Sequence, residues 1–280
     1  MSAETLIRDP DTLLSEWQAL TERHHHLHQP QAAALLGLPE ASLVAALSGQ
    51  SATRLEGDPA EILERVAAMG KLIMAVSHHA GVLIGIAKPV RFQRAGQRFV
   101  LADDHNRLEV DTDAIAYIYV LINEKGMHGR ERHLQAFDQD GRALFKLLVL
   151  YKRHAADLAA LAEKYRSPDQ RRSLALPLPI PVRPPETNLD PGPLCDDLLQ
   201  WSKTETPILA TVECPKVSLS CQTRQPKVYG MEDGFLHFSH ATMKLHGRLG
   251  LLGQIDRSDS SWRCRRQDST LTFQRMAEAA

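Results

Sequence analysis

Four absences narrow the reading. The 280-residue chain contains no run of about 18 apolar residues, so no membrane-spanning helix is expected. Met1 to Asp11 is polar and mixed in charge, unlike the basic-then-apolar layout of a secretory signal. No Cys-x-x-Cys pair occurs, which argues against a structural zinc site, and Cys195, Cys214, Cys221 and Cys264 all fall in the last third of the chain. Without an export signal these read as reduced thiols, so a cytoplasmic location is expected. A dominant charge is also missing. Lys and Arg number 33 against 34 Asp and Glu, for a net charge of −1 and a pI near 6.9, so no broad basic field awaits nucleic acid or an anionic membrane. No Gly-x-Gly-x-x-Gly, Walker loop or Ser/His/Asp arrangement appears. Asp103, Asp104, Asp111 and Asp113 are not spaced as a calcium loop and read as a solvated turn.

What is present suffices for a core: 43% of residues are hydrophobic and 24% charged. The length suits one large or two small domains. Leu13, Leu14, Trp17 and Leu20 recur at helical spacing behind Asp11, which is expected to cap. Gln31 to Leu47 carries an apolar helical pattern broken at Gly37 and Pro39. This helix–turn–helix look raises a DNA-binding regulator as one alternative function. Glu40 to Leu47 weakens it, because a recognition helix needs Arg, Lys, Gln or Asn for base edges. Asp58-Pro59-Ala60-Glu61 is a strong helix start, and the helix is expected to end at Gly70.

Beyond Gly70 the apolar period changes from helix to strand. Strands are expected at 72–77, 81–86, 98–101, 114–122, 132–138 and 143–149, with a helix at 154–165. Prolines at 177, 179, 181, 184 and 185 exclude helix and central strand, so 167–193 is read as an extended linker. The pattern then restarts with a helix at 194–202 and strands at 208–212, 216–221, 235–238, 249–255 and 271–276. Ala75 to Val82 lies over Ala210 to Val217 at an offset of 135 (217 − 82), and Phe99 over Phe235 at 136 (235 − 99). Such offsets point to duplication. The expected architecture is α+β, with two tandem repeats, each a mainly antiparallel sheet flanked by helices. The expected divisions are 1–166, a linker at 167–193, and a shortened second repeat at 194–280. A duplicated sheet also leaves clefts where ligands favour binding.

Several segments, taken in order, resemble the haemin-handling HemS, ChuS and ChuX family. They are Gln31 to Ala45, Arg54-Leu-Glu-Gly-Asp with the helix after it, Met69 to Val76, and the strand–turn–strand His133-Leu-Gln-Ala-Phe-Asp-Gln-Asp-Gly-Arg-Ala-Leu-Phe-Lys. In the second half Gly234-Phe-Leu-His-Phe and Lys244-Leu-His resemble two further family strands, the latter a Leu-His-Leu strand. The resemblance covers roughly 12 to 165 and is weaker over 194 to 278. It implies haem as the ligand, with uptake, trafficking or storage as the function and a haem-degrading enzyme using an external electron donor as the alternative. Longer family members ligate iron through a histidine just upstream of the second repeat. Here residues 155 to 236 contain no histidine, which favours a carrier over an enzyme. The implied partners are haem and a haem importer or haem-degrading enzyme. Neither membrane insertion nor nucleic acid is expected, and the tandem repeat predicts a monomer.

Haem needs an apolar slot, an axial ligand, and cations for its propionates. His78 and His79, at a strand end beside Gly81, are the first candidates for the iron, and a ligand histidine of the ChuX-type pattern falls at His78. His246, with His237 and His240, forms a second group, and Cys214-Pro215 is a third, weak one. Arg91, Arg94 and Arg98 in the first repeat, and Lys227, Lys244 and Arg248 in the second, are the candidate propionate partners. Within His24-His25-His26-Leu27-His28, only His24 and His28 stand one helical turn apart, and the tract reads as a fortuitous surface feature.

Overall fold

The computed structural model describes residues 7–24, 29–78, 81–88, 90–126, 129–179, 190–223, 227–229, 235–248, 251 and 253–276. The first repeat begins with α1 (Pro10–Arg23), α2 (Gln29–Leu36), α3 (Glu40–Ala46), β1 (Ala52–Leu55) and α4 (Pro59–Ala67). It continues with β2 (Leu72–His78), β3 (Gly81–Ala87), β4 (Arg91–Ala95), β5 (Arg98–Ala102), β6 (Asn106–Asp111), β7 (Tyr117–Gly126), β8 (Gly129–Phe137), β9 (Ala143–Val149) and α5 (Ala155–Lys164). The second repeat is α6 (Gly192–Lys203), β10 (Ile208–Cys214), β11 (Val217–Thr223), β12 (Lys227–Tyr229), β13 (Phe235–His240), β14 (Met243–Arg248), β15 (Gln254–Arg257), β16 (Ser261–Arg266) and β17 (Ser269–Arg275). The fold is α+β, and the strand pairs within each of the two units described below are antiparallel. Among the described residues no helix is long and apolar enough to cross a membrane.

The duplication is visible element by element. The run β2 to β9 is repeated as β10 to β17, one helix leading each run. The register differs by one residue from the expected offset of 135. The hairpin starts at Leu72 and Ile208 are 136 apart (208 − 72), which puts Cys214, not Glu213, in the place of His78. The strand pattern predicts neither β4 and β6 nor β12, β14 and β16 of the second repeat; β14 is anticipated only by the family resemblance of Lys244-Leu-His. Charged residues fill their outward positions and hide the alternation, as in Asn106-Arg107-Leu108-Glu109-Val110-Asp111.

The chain forms two compact units that do not follow the sequence segments. One comprises Met1–Met69 with Thr112–Val182, the other Gly70–Asp111 with Arg183–Ala280. The repeat boundaries describe order along the chain, whereas the units follow contacts.

In the first unit β1, β7, β8 and β9 lie side by side. α1 is capped by Asp9, not by Asp11: the Asp9 carboxylate accepts from the Thr12 amide at 2.9 Å, and Pro10 takes the first turn. α4 starts as the sequence predicts, with Asp58 accepting from the Ala60 amide at 2.9 Å. α3 packs Ala41, Val44 and Ala45 onto the sheet face that carries Tyr119, Leu121 and Phe137. Leu43 and Ala46 are buried against α1 and α2, so α3 offers no recognition face to a DNA groove. Residues 167–176, expected to be linker, pack as part of this unit. Leu174 and Leu176 join the core, and Arg54 holds Asp169 at 2.6 Å. The turn between β8 and β9 needs Gly141 at φ +77°, where a Cβ would stand 2.5 Å from Leu176.

In the second unit two sheets pack face to face. One places β2, β3, β14, β13 and β12 in that order; the other places β15, β16, β17, β10, β11, β6, β5 and β4. The repeats are therefore exchanged within this unit. First-repeat β3 pairs with second-repeat β14, and second-repeat β11 pairs with first-repeat β6. Leu83, Leu245, Phe238, Ile208, Ala210 and Phe273 fill the space between the sheets, with Phe238 and Phe273 rings 6.5 Å apart. Gly85 lets the sheets approach, since a Cβ there would lie 2.8 Å from Asn106 Oδ1 and 3.0 Å from Cys221 Sγ. α6 closes one side, with Asp197 accepting from Trp262 Nε1 at 2.8 Å and pairing with Arg257.

Candidate functional site

Strand alternation assigns the outward face of β2, β3, β14 and β13 in the second unit. Val76, Leu83, Leu245 and Phe238 form one register row and are buried between the sheets. The adjacent row, Ser77, Val82, His246 and His237, therefore faces outward. The next outward row is Ala75, Ile84, Lys244, Ser239 and Lys227. Ile73 opposite Ile86 extends it. Ile73, Ala75, Val82, Ile84 and Ile86 are all half-buried and make an apolar floor. Lys244, His246, Arg248 and Lys227 stand exposed along one side of it.

His237 and His246 sit directly across from each other on β13 and β14. Their Nδ1 atoms are 2.8 Å apart and their rings meet edge to face at 5.1 Å. His240 belongs to the other parity, at the strand end. Its Nδ1 is 3.3 Å from Thr242 Oγ1, and burial, then the neighbouring His105 and Lys227, lower its pKa. The sequence reading thus names residues that the fold gathers, His246, His237, Lys227, Lys244 and Arg248, but the pairing of the two histidines depends on a hairpin that the spacing alone does not reveal.

Of the other candidates, Cys214, Arg91, Arg94 and Arg98 lie on strands of the other sheet. The backbone of His78 ends β2 in the row of Gly81 and Gly247, of opposite parity to the histidine pair. His79 is outside the described residues, as are His25, His26 and His28, which removes His24 and His28 as a describable pair. Cys214 ends β10 with its thiol toward the Ser77 carbonyl at 3.6 Å, and burial pushes that thiol up to about 12. Arg91 pairs with Asp104 and Arg98 with Asp111 on the other sheet, at 3.0 and 2.8 Å. Arg94 stands on the edge strand β4 opposite Phe99. Among the described residues, no three His, Cys, Asp or Glu side chains gather as a metal site.

The first unit holds a polar cluster that sequence reasoning missed. Gln135 Nε2 donates to the Glu40 carboxylate at 2.7 Å, and Gln29 links Gln135 and Lys146 at 3.3 and 3.4 Å. His133, on the same face of β8, is 3% exposed, and its Nε2 has no hydrogen-bond partner. Burial, then the charge of Lys146, drives its pKa well below the ordinary value, while burial raises that of Glu40. The signal in the sequence was a polar His-x-Gln alternation inside an otherwise apolar strand.

The repeat supplies an internal comparison for the outward face. At offset 136, Ala75, Val82, Ile84 and Ile86 become Thr211, Ser218, Ser220 and Gln222 on β10 and β11. At offset 137, His246 becomes Glu109, and His237 becomes Val100. Thr211 and Ser220 hydrogen-bond to each other at 3.0 Å. Four of the five floor positions are apolar in one copy and polar in the other; the fifth, Ile73, has apolar Leu209 as its equivalent, and the histidine pair belongs to one copy alone.

The fold is that of a duplicated, antiparallel α+β protein. Residues 37–165 match the model of the haemin-degrading HemS.ChuX domain. No curated protein sequence matches the chain. Among solved structures it is similar to holo-PhuS, a haem-binding protein from Pseudomonas aeruginosa, at 19% identity and a TM-score of 0.79, covering 97% of this chain and 95% of that one. It is also similar to ChuS, a haem oxygenase from Escherichia coli, at 14% identity and a TM-score of 0.75, covering 96% and 95%. At these identities the likeness is one of fold, and it extends across both repeats.

Proposed function

We propose that the chain binds haem on the outward face of β2, β3, β14, β13 and β12, and that it carries the haem rather than degrading it. The observation behind this reading is the asymmetry between the two copies of the face. Selection for folding alone does not explain an apolar floor with paired histidines on one copy and a polar surface on the other. The donor set fits haem. Ile73, Ala75, Val82, Ile84 and Ile86 offer a surface for the porphyrin plane. The histidine pair offers an axial nitrogen. Lys227, Lys244 and Arg248 are cations on the same face for the two propionates. Haem itself brings the iron; the chain's groups bind, orient and shield it.

Carriage needs only those groups, whereas degradation also needs an electron donor. The family match and the haem-binding and haem-degrading proteins of like fold support haem as the ligand. On this reading the chain is a cytoplasmic monomer, in keeping with its four free cysteines, receiving haem from an importer and passing it to a degrading enzyme. A haemin titration of the apo-protein tests the proposal. A saturable Soret band near one equivalent that survives ascorbate is the expected result. Decay toward a bile pigment would replace the carrier with an enzyme, and the lack of any saturable band would overturn haem binding.

A further inference from the structure

The His237–His246 pair constrains its own protonation. Two Nδ1 atoms 2.8 Å apart form a hydrogen bond only if one carries the proton and the other does not. In a neutral pair the donor histidine is the Nδ1–H tautomer, so its Nε2 bears a lone pair. The acceptor must hold its proton on Nε2. The two rings therefore differ chemically although they are neighbours: one Nε2 can ligate a metal, and the other Nε2 is a hydrogen-bond donor.

Position in the sheet distinguishes them. His246 is on β14, directly beside Val82 of β3 and next to the apolar floor. His237 lies one strand further out, between His246 and β12, where Tyr229 stands opposite it in register and Lys227 follows in the adjacent row. A porphyrin lying on the floor would bring its iron nearer to β14 than to β13. We propose that His246 is the Nδ1–H tautomer and ligates haem iron through Nε2, and that His237 is a positioning residue, accepting the His246 proton on Nδ1 and presenting Nε2–H toward the polar side of the site. This assignment rests on the haem reading above and adds to it which histidine does which task. A ligand histidine whose other nitrogen is engaged in this way is fixed in ring orientation and made more basic.

Two measurements test it. The first is long-range nitrogen–proton NMR of the apo-protein, which reads tautomers without haem. It should show His246 protonated on Nδ1 and His237 on Nε2; the reverse, or Nε2–H on both, overturns the assignment. The second uses haemin with variants on this solvent-facing surface. His246→Ala should abolish the histidine-ligated spectrum. His237→Leu should weaken haemin binding by about 10-fold or more, the usual effect of losing such a partner. His237→Asn, which restores an acceptor, should recover most of it. Unchanged ligation in His246→Ala with wild-type binding intact sinks this inference and leaves the haem reading standing. Failure of the wild type to bind haemin, even with the tautomers as assigned, sinks both.

Discussion

The Cys214 thiol lies 3.6 Å from the main-chain carbonyl of Ser77, joining the hairpin ends of the two sheets in the second unit. Burial holds that thiol up to about 12. At neutral pH it is a neutral weak donor and not a thiolate. Cys214→Ser should therefore leave the Soret maximum of the haemin complex where it is. Alkylation of Cys214 in the native protein at pH 8 should be far slower than that of a free thiol. A Soret shift in that variant would return Cys214 to the list of iron ligands.

The two copies of the outward face allow a matched pair of substitutions. Ile84 and Ser220 occupy equivalent places on β3 and β11. Ile84→Glu puts a charge on the apolar floor and is expected to weaken haemin binding by at least about 10-fold, the equivalent of roughly 1.4 kcal/mol. Ser220→Glu, on the polar copy, should leave binding within about twofold. Equal losses from both would mean that haem does not distinguish the faces.

His133 makes stability pH-dependent. Its folded-state pKa lies below the ordinary 6.5, through burial first and Lys146 second. Above about 6.5 the imidazole is neutral in both folded and unfolded chains. As pH falls through that value the unfolded chain takes up a proton that the folded one refuses, and stability drops. Urea unfolding from pH 7.5 to 5, followed by far-UV circular dichroism, should show this. His133→Leu should reduce the acid loss and, by removing an unpartnered buried nitrogen, cost little or even stabilise by about 1 kcal/mol. An unchanged pH slope in that variant would assign the effect to other groups.

Gly141 combines a positive φ of +77° with a blocked Cβ position. Its carbonyl also accepts from the Ala41 amide at 3.0 Å, tying the β8–β9 turn to α3. Gly141→Ala is expected to destabilise by about 1–3 kcal/mol, read as a lower Tm. An unaltered Tm would mean that the turn relaxes without strain.

The legible parts of the fold were those with a strong local cause. Asp58-Pro59 began α4, Gly and Pro punctuated the hairpins, and apolar β2, β3, β10 and β11 stood out. Strands β4, β6, β12, β14 and β16 were missed or misplaced because Arg, Lys, Glu and His occupy their outward positions, as in Ser261-Trp-Arg-Cys-Arg-Arg. Asp11 precedes the first apolar residues of α1 and so reads as its cap, but the helix begins at Pro10 and Asp9 caps it. Of the proposed site, the residue types are readable in the sequence: His237, His246, Lys244 and Arg248 are all candidates there. His78 ends β2 beside Gly81, and a strand end beside glycine carries no record in the sequence of which face it serves; His79 lies outside the described residues.

The order of elements, their duplication and the chemistry available for a ligand are properties of the sequence alone, since period, turn residues and offset are local or one-dimensional. The exchange of β14 onto β3 and β6 onto β11 is not, because strand pairing depends on which edges meet once the chain has collapsed. That exchange brings the second repeat's His246 next to the first repeat's Val82, so tertiary structure alone decided that one histidine pair and one apolar floor share a face.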